Sequence, residues 1–210
     1  MRVGSDSEWA TGVPFDFIGG AQFFAQWRSG DDRVVAWGTA PFISATLDRP
    51  WFTGATRSNA VRNIELEGKA SAAVVGDPFD GTFRDRFRDG SDDPVNLAPG
   101  DSLTTDISPD AHWIVPDIDA SVSVQSDVVS GRCFDTGSSA GLVQVLLHRS
   151  GKERGWALLD TEADGSFSFD FATDGDPFWT NANVRDGDRI TVRCMQSEGD
   201  WVQRVLFASA

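Results

Sequence analysis

Apolar and β-branched residues in this chain come in runs of five to eight, broken by Gly, Asp, Pro and Ser every 8 to 12 residues. That spacing predicts short strands joined by tight turns, as in a sandwich or barrel. The alternation is sharpest at Ser166-Phe167-Ser168-Phe169-Asp170-Phe171, where a period of two sends three Phe to one face and the polar residues to the other. The same reading predicts strands at Ala21–Trp27, Arg33–Trp37, Phe42–Leu47, Trp51–Ala55, Ala70–Val75, Thr82–Phe87, Ser121–Val124, Val128–Cys133, Gly141–His148, Trp156–Asp160, Ser166–Phe171, Arg189–Met195 and Trp201–Phe207. The class is all-β, with no long helix.

The pattern repeats. Trp51-Phe52-Thr53-Gly54-Ala55-Thr56 matches Val128-Val129-Ser130-Gly131-Arg132-Cys133 at an offset of 77. Asp80-Gly81-Thr82-Phe83 matches Asp164-Gly165-Ser166-Phe167 at 84, and Asn96–Thr104 matches Asn183–Thr191 at 87. Anchors in fixed order, at offsets that grow by short loop insertions, imply two copies of one fold. The expected copies span 41–116 and 117–210. Residues 1–40 echo the last two strands of a copy and are expected to form a β-hairpin segment, the end of a preceding module.

Composition narrows the setting. The chain has 210 residues, a formal charge of -14, and 26 Asp against 6 Glu. Asp outnumbering Glu suits turns, where a short carboxylate bonds its own backbone. A net field of this sign repels phosphate backbones and anionic lipid, and no apolar run is long enough for a membrane helix. Neither nucleic-acid binding nor membrane insertion is expected. Residues 1–6 carry no apolar signal-peptide core, and the repetition instead suggests a piece of a longer secreted or surface chain.

The succession Val129-Ser130-Gly131, then Ala163-Asp164-Gly165-Ser166-Phe167, then Val184-Arg185-Asp186-Gly187-Asp188-Arg189-Ile190-Thr191-Val192 resembles the Ig-like and carboxypeptidase-regulatory-like modules of bacterial and archaeal surface proteins and secreted enzymes. The resemblance implies tandem immunoglobulin-like β-sandwich domains serving as spacer, adhesive or accessory modules. The expected partners are neighbouring modules of the same or a like chain, and a glycan or cell-surface ligand. The expected location is extracellular or at the cell surface.

Chemistry-bearing residues are few. Phe134-Asp135-Thr136-Gly137-Ser138-Ser139 is similar to the active-site segment of pepsin-type proteases, which need two aspartates sharing a proton. The corresponding stretch of the first copy, Arg57-Ser58-Asn59-Ala60, supplies no second Asp, and the chain has no Tyr. Asp135 is therefore read as part of a polar loop, and no catalytic residue is expected. His112 and His148 are the two histidines, and His148 is read as a solvated strand end.

Asp160, Glu162 and Asp164, with Asp174 and Asp176, offer hard oxygen ligands at loop ends, which makes calcium the one cofactor considered. Trp156, Phe178 and Trp179 are the aromatic candidates for stacking on a sugar ring. Cys133 and Cys194 fall in the second copy alone, opposite Thr56 and Ile107 in the first. Their joint presence suggests a disulfide and an oxidising compartment, the alternative being two buried thiols.

Overall fold

Aspartate and glycine turns set the element boundaries of a computed structural model that describes residues 2–3, 9–10, 20–29, 32–107, 112–133, 141–174, 182–196 and 200–209. Among these residues there is no helix. The strands are β1 (Arg2–Val3), β2 (Trp9–Ala10), β3 (Gln22–Ser29), β4 (Asp32–Thr39), β5 (Phe42–Thr46), β6 (Trp51–Ala55), β7 (Val61–Leu66), β8 (Ala70–Val75) and β9 (Thr82–Arg86). They continue as β10 (Ser102–Thr105), β11 (His112–Ile114), β12 (Ile118–Ser123), β13 (Val128–Cys133), β14 (Leu142–Arg149), β15 (Lys152–Asp160), β16 (Ser166–Asp170), β17 (Arg189–Met195) and β18 (Trp201–Phe207). The fold is all-β and immunoglobulin-like.

Strands β5 to β11 and β12 to β18 pair in the same order. A three-stranded set runs β5-β6-β9 in one half and β12-β13-β16 in the other, and a four-stranded set runs β11-β10-β7-β8 and β18-β17-β14-β15. Register repeats as well. Gly54 pairs with Phe83 and Gly131 with Phe167, while Ser44 pairs with Thr53 and Ser121 with Ser130.

The turn anchors repeat atom for atom. Gly81 O accepts from Thr56 N, and Gly165 O accepts from Cys133 N, both at 2.9 Å. Both glycines have positive φ, 75° and 78°, which a side chain resists. One residue earlier, Asp80 Oδ1 accepts from Thr82 N and Oγ1, and Asp164 Oδ1 from Ser166 N and Oγ. These hydrogen bonds hold both Asp carboxyls below their ordinary pKa. Gly54 and Gly131 serve close approach: a Cβ on either would lie 2.2 Å from the carbonyl of Phe42 or of Asp119.

Two buried aspartates anchor the third repeat. Asp101 Oδ2 accepts from Ala98 N and Asp188 Oδ2 from Arg185 N, and each pairs with the cation of a neighbouring hairpin, Lys69 or Arg149. The two apolar interiors form one connected cluster, with Phe52 stacked 4.6 Å from Phe87 in the first half and Phe169 edge-on to Phe171 in the second. Cys133 on β13 and Cys194 on β17 are joined in a disulfide that ties the two sheets of the second half together. An inter-sheet bridge of this kind is a hallmark of antibody-type domains. In the first half Thr56 and Ile107 are buried at the matching positions.

The halves are fused edge to edge. β18 pairs in parallel with β5, so the four-stranded sheet of the second half and the three-stranded sheet of the first become one seven-stranded sheet, β15-β14-β17-β18-β5-β6-β9. Asp200 Oδ1 accepts from Ile43 N at 2.8 Å, Gln203 O accepts from Leu47 N at 2.9 Å, and Gln203 Nε2 donates to Thr46 Oγ1 at 2.8 Å. Arg204 donates to the carbonyl of Ile118 and to Asp48 Oδ2. β3 and β4 form a separate two-stranded ribbon.

Candidate functional site

Strand alternation gives the seven-stranded sheet one inward and one outward face. On β14 the inward residues are Val143, Val145 and Leu147, all fully buried, so Gln144, Leu146 and His148 point outward. Register carries that face across the sheet. Gln144 lies beside Arg193, Arg193 beside Gln203, and Gln203 beside Thr46. Continuing the β5–β6 register places Thr46 beside Trp51, whose other neighbour is Arg86.

The row is hydrogen-bonded across four strands. Arg193 Nη1 donates to Gln144 Oε1 at 2.9 Å, Arg193 Nε donates to Gln203 Oε1 at 3.0 Å, and Gln203 passes the chain to Thr46. Beside it a trough of about 340 Å³ is lined by Arg189, Thr191, His148 and Glu153 among others. Burial draws the Arg193 guanidinium below its usual value, with Glu153 acting in the other direction, and a guanidinium remains charged all the same. Burial, then Arg189, lowers the pKa of His148. His148 is half-exposed next to the end of β14, with its Nδ1 shielded from solvent. The side chain points into the sheet's outward face and packs beside arginines.

At the β9 edge, Trp51 is 40% exposed and carries two guanidiniums, Arg84 at 5.1 Å and Arg86 at 5.5 Å from the ring. At the opposite edge Trp156 is 38% exposed and Leu158 43%. Trp156, expected as a sugar platform, stands on β15 beside Leu146. Phe178 and Trp179, its expected companions, lie outside the described residues, as does Asp135.

The carboxylates expected for calcium separate into two places. Asp160 and Glu162 line a groove of about 690 Å³ at the edge where β15 meets β16, together with Asp119, Arg132 and Ser166. Asp164 is occupied by Ser166 and by Arg132 at 2.8 Å. Asp174 lies past the other end of β16, where it accepts from Asp170 N. The five residues of β16 put about 17 Å between these ends. Asp176 is outside the described residues. Among the described residues no three His, Cys, Asp or Glu side chains converge to hold a metal ion. The periodicity that located these strands carried no sign of the outward Arg193–Gln203 row, because it depends on which strands become neighbours across the two halves.

No family model matches the chain, and no curated protein sequence does. Similar solved structures include the tetra-tandem repeat in the extending region of a large adhesion protein, at 15% identity and a TM-score of 0.33, covering 98% of this chain and 61% of that one. The FN1–FN3 domains of chicken CNTN1 follow at 13% identity and 0.29, covering 85% and 71%. A DUF3823 family protein from Parabacteroides merdae is similar at 13% identity and 0.35, covering 80% and 98%. No helix among the described residues is long and apolar enough to cross a membrane.

Proposed function

We propose that the chain is a non-catalytic, adhesive and structural unit of an extracellular or cell-surface protein. It is made of two sandwich modules, 41–116 and 117–210, behind an N-terminal two-stranded ribbon. The observation that carries this reading is the parallel β18–β5 pairing, which makes one continuous sheet from two repeats. A flexible linker lets neighbouring domains reorient, whereas main-chain hydrogen bonding across the junction fixes their angle. The Cys133–Cys194 disulfide supports an oxidising location. A fixed two-module unit suits a stalk that holds a binding surface away from its anchor.

Two measurements test it. Backbone relaxation of the intact protein should report one tumbling time for both halves, and beads coated with the chain should be retained on cells or extracellular matrix. Independent tumbling of the halves would overturn the structural part, and failure of the beads to bind any surface would overturn the adhesive part.

A further inference from the structure

The chain is acidic, with 32 carboxylates to 18 Lys and Arg, but the outward face of the seven-stranded sheet reverses that balance. By register it carries Arg84, Arg86, Arg189 and Arg193 against Glu153 and Asp160 on β15. The guanidiniums of Arg84 and Arg86 lie over the Trp51 ring, at 5.1 and 5.5 Å from its centroid, while the Arg86 backbone N donates to Asp85 Oδ1. Arg193 donates to two neutral amides, and Glu153 in the same trough is the carboxylate that bears on its charge.

We propose that this face binds an anionic polysaccharide, a chain of carboxylate-bearing pyranose rings laid along the row Arg86–Trp51–Thr46–Gln203–Arg193–Gln144. The inference rests on the adhesive reading and names its ligand class. Four strand spacings, about 19 Å, separate Arg86 from Arg193, a span that suits an extended polymer and not a single sugar. Trp51 is 40% exposed with two guanidiniums over its ring, an aromatic surface that contacts a pyranose while the cations pair its carboxylate. Gln203 and Thr46 supply fixed amide and hydroxyl groups between the charged ends, and Gln144 supplies an amide beyond Arg193. The row itself selects the occupant, an aromatic ring beside paired cations matching a carboxylate-bearing sugar, and the acidic surface away from the row is screened beyond about 8 Å.

Polygalacturonate titrated into the intact protein by calorimetry tests this, with dextran as the neutral comparison. Saturable binding of polygalacturonate without binding of dextran is the expected result. The double variant Arg84→Gln/Arg86→Gln should weaken it at least tenfold and flatten its salt dependence, and Trp51→Ala should weaken it while leaving that dependence in place. Circular dichroism and the melting curve keep loss of binding apart from loss of fold. No saturable binding, or equal affinity in the arginine double variant, overturns the proposal. So does concentration-dependent dimerisation that the same double variant abolishes while polygalacturonate stays unbound, since the face would then take a second copy. Failure here leaves the one-body tumbling result untouched, so the two readings fail separately.

Discussion

The first half builds the same sheet-to-sheet corner as the second without a disulfide, which makes the bridge a clean perturbation. Replacing Cys133 by Thr and Cys194 by Ile copies the first half's Thr56 and Ile107 into the second. Both half-cystines are buried, at 8% and 2% exposure, so solvation of the site changes little. What changes is the unfolded chain. The bridge closes a sequence separation of 61, and releasing it returns loop entropy worth about 4 kcal/mol at 25 °C. For a chain of this length that corresponds to a fall of roughly 8–16 °C in Tm. Urea unfolding of the oxidised protein, the reduced protein and the double variant separates the contributions. Reduction reports the cross-link, and the further difference to the double variant reports the fit of Ile in a cysteine's place, about 1–3 kcal/mol in the same direction if it overpacks. If reduction costs less than about 1 kcal/mol, the cross-link is not constraining the unfolded state and the argument fails.

Three further outcomes follow from single residues. Burial alone would raise the Asp188 pKa, but the Arg149 hydrogen bonds and the Arg185 amide outweigh it and hold the carboxyl below its ordinary value. A depressed folded pKa means the stabilisation is complete above the unfolded value of about 3.9 and drains away as pH falls through the folded one. Asp188→Asn should therefore flatten the acid limb of a stability–pH profile and cost about 3 kcal/mol at neutral pH, and an unchanged acid limb would refute the pairing as its cause. Gly131→Ala should destabilise by roughly 3 kcal/mol in denaturant titrations, because its Cβ would meet Asp119 O at 2.2 Å and Ala120 Cα at 2.8 Å; a neutral effect would mean the strands separate easily. Arg204→Ala removes donors to Ile118 and Asp48 but leaves the β18–β5 main-chain bonds, so it should cost about 1 kcal/mol in urea unfolding while backbone relaxation still reads one tumbling time; two tumbling times would show that the side chain and not the shared sheet holds the halves together.

The sequence was most legible where both periodicity and turn chemistry pointed the same way. Trp51–Ala55, Ala70–Val75, Val128–Cys133, Arg189–Met195 and Trp201–Phe207 have the bounds their apolar runs suggest. β15 begins at Lys152, four residues before the expected Trp156, because Ser150 and Gly151 take positive φ and close a two-residue hairpin that draws the preceding polar residues into the ladder. β7, β10 and β11 escaped detection. Val61–Leu66 carries Arg62 and Asn63 before its buried Ile64 and Glu65 between Ile64 and Leu66, Ser102–Thr105 has the single large apolar residue Leu103, and His112–Ile114 is three residues long. The outward row had no signal along the chain, since Gln203 and Thr46 are 157 positions apart and meet through a parallel pairing between halves. Trp156 stands out in the sequence as an aromatic on a strand, while Trp51 sits inside a repeat anchor and meets its two arginines only through a strand more than thirty residues away.

The disulfide's position has a physical logic that yields the last prediction. In the first half the opening strand β5 has partners on both edges, β6 and β18, so its amides are locked without any cross-link. Its counterpart β12 is an edge strand, paired with β13 among the described residues, and the neighbouring half gives it no ladder. An edge strand opens at lower free energy than one saturated on both sides. The bridge from β13 to β17 holds the sheet that carries β12 against the four-stranded sheet behind it, and so raises the cost of opening where lateral support is missing. Reduction should therefore act unevenly. Hydrogen exchange of the reduced protein should speed up first at the amides of β12, β13 and β16, while those of β5 and β6 keep their protection until global unfolding. Equal acceleration in both halves would show that the disulfide stabilises the two repeats as one cooperative unit, and that the parallel junction passes the full effect of the cross-link across it.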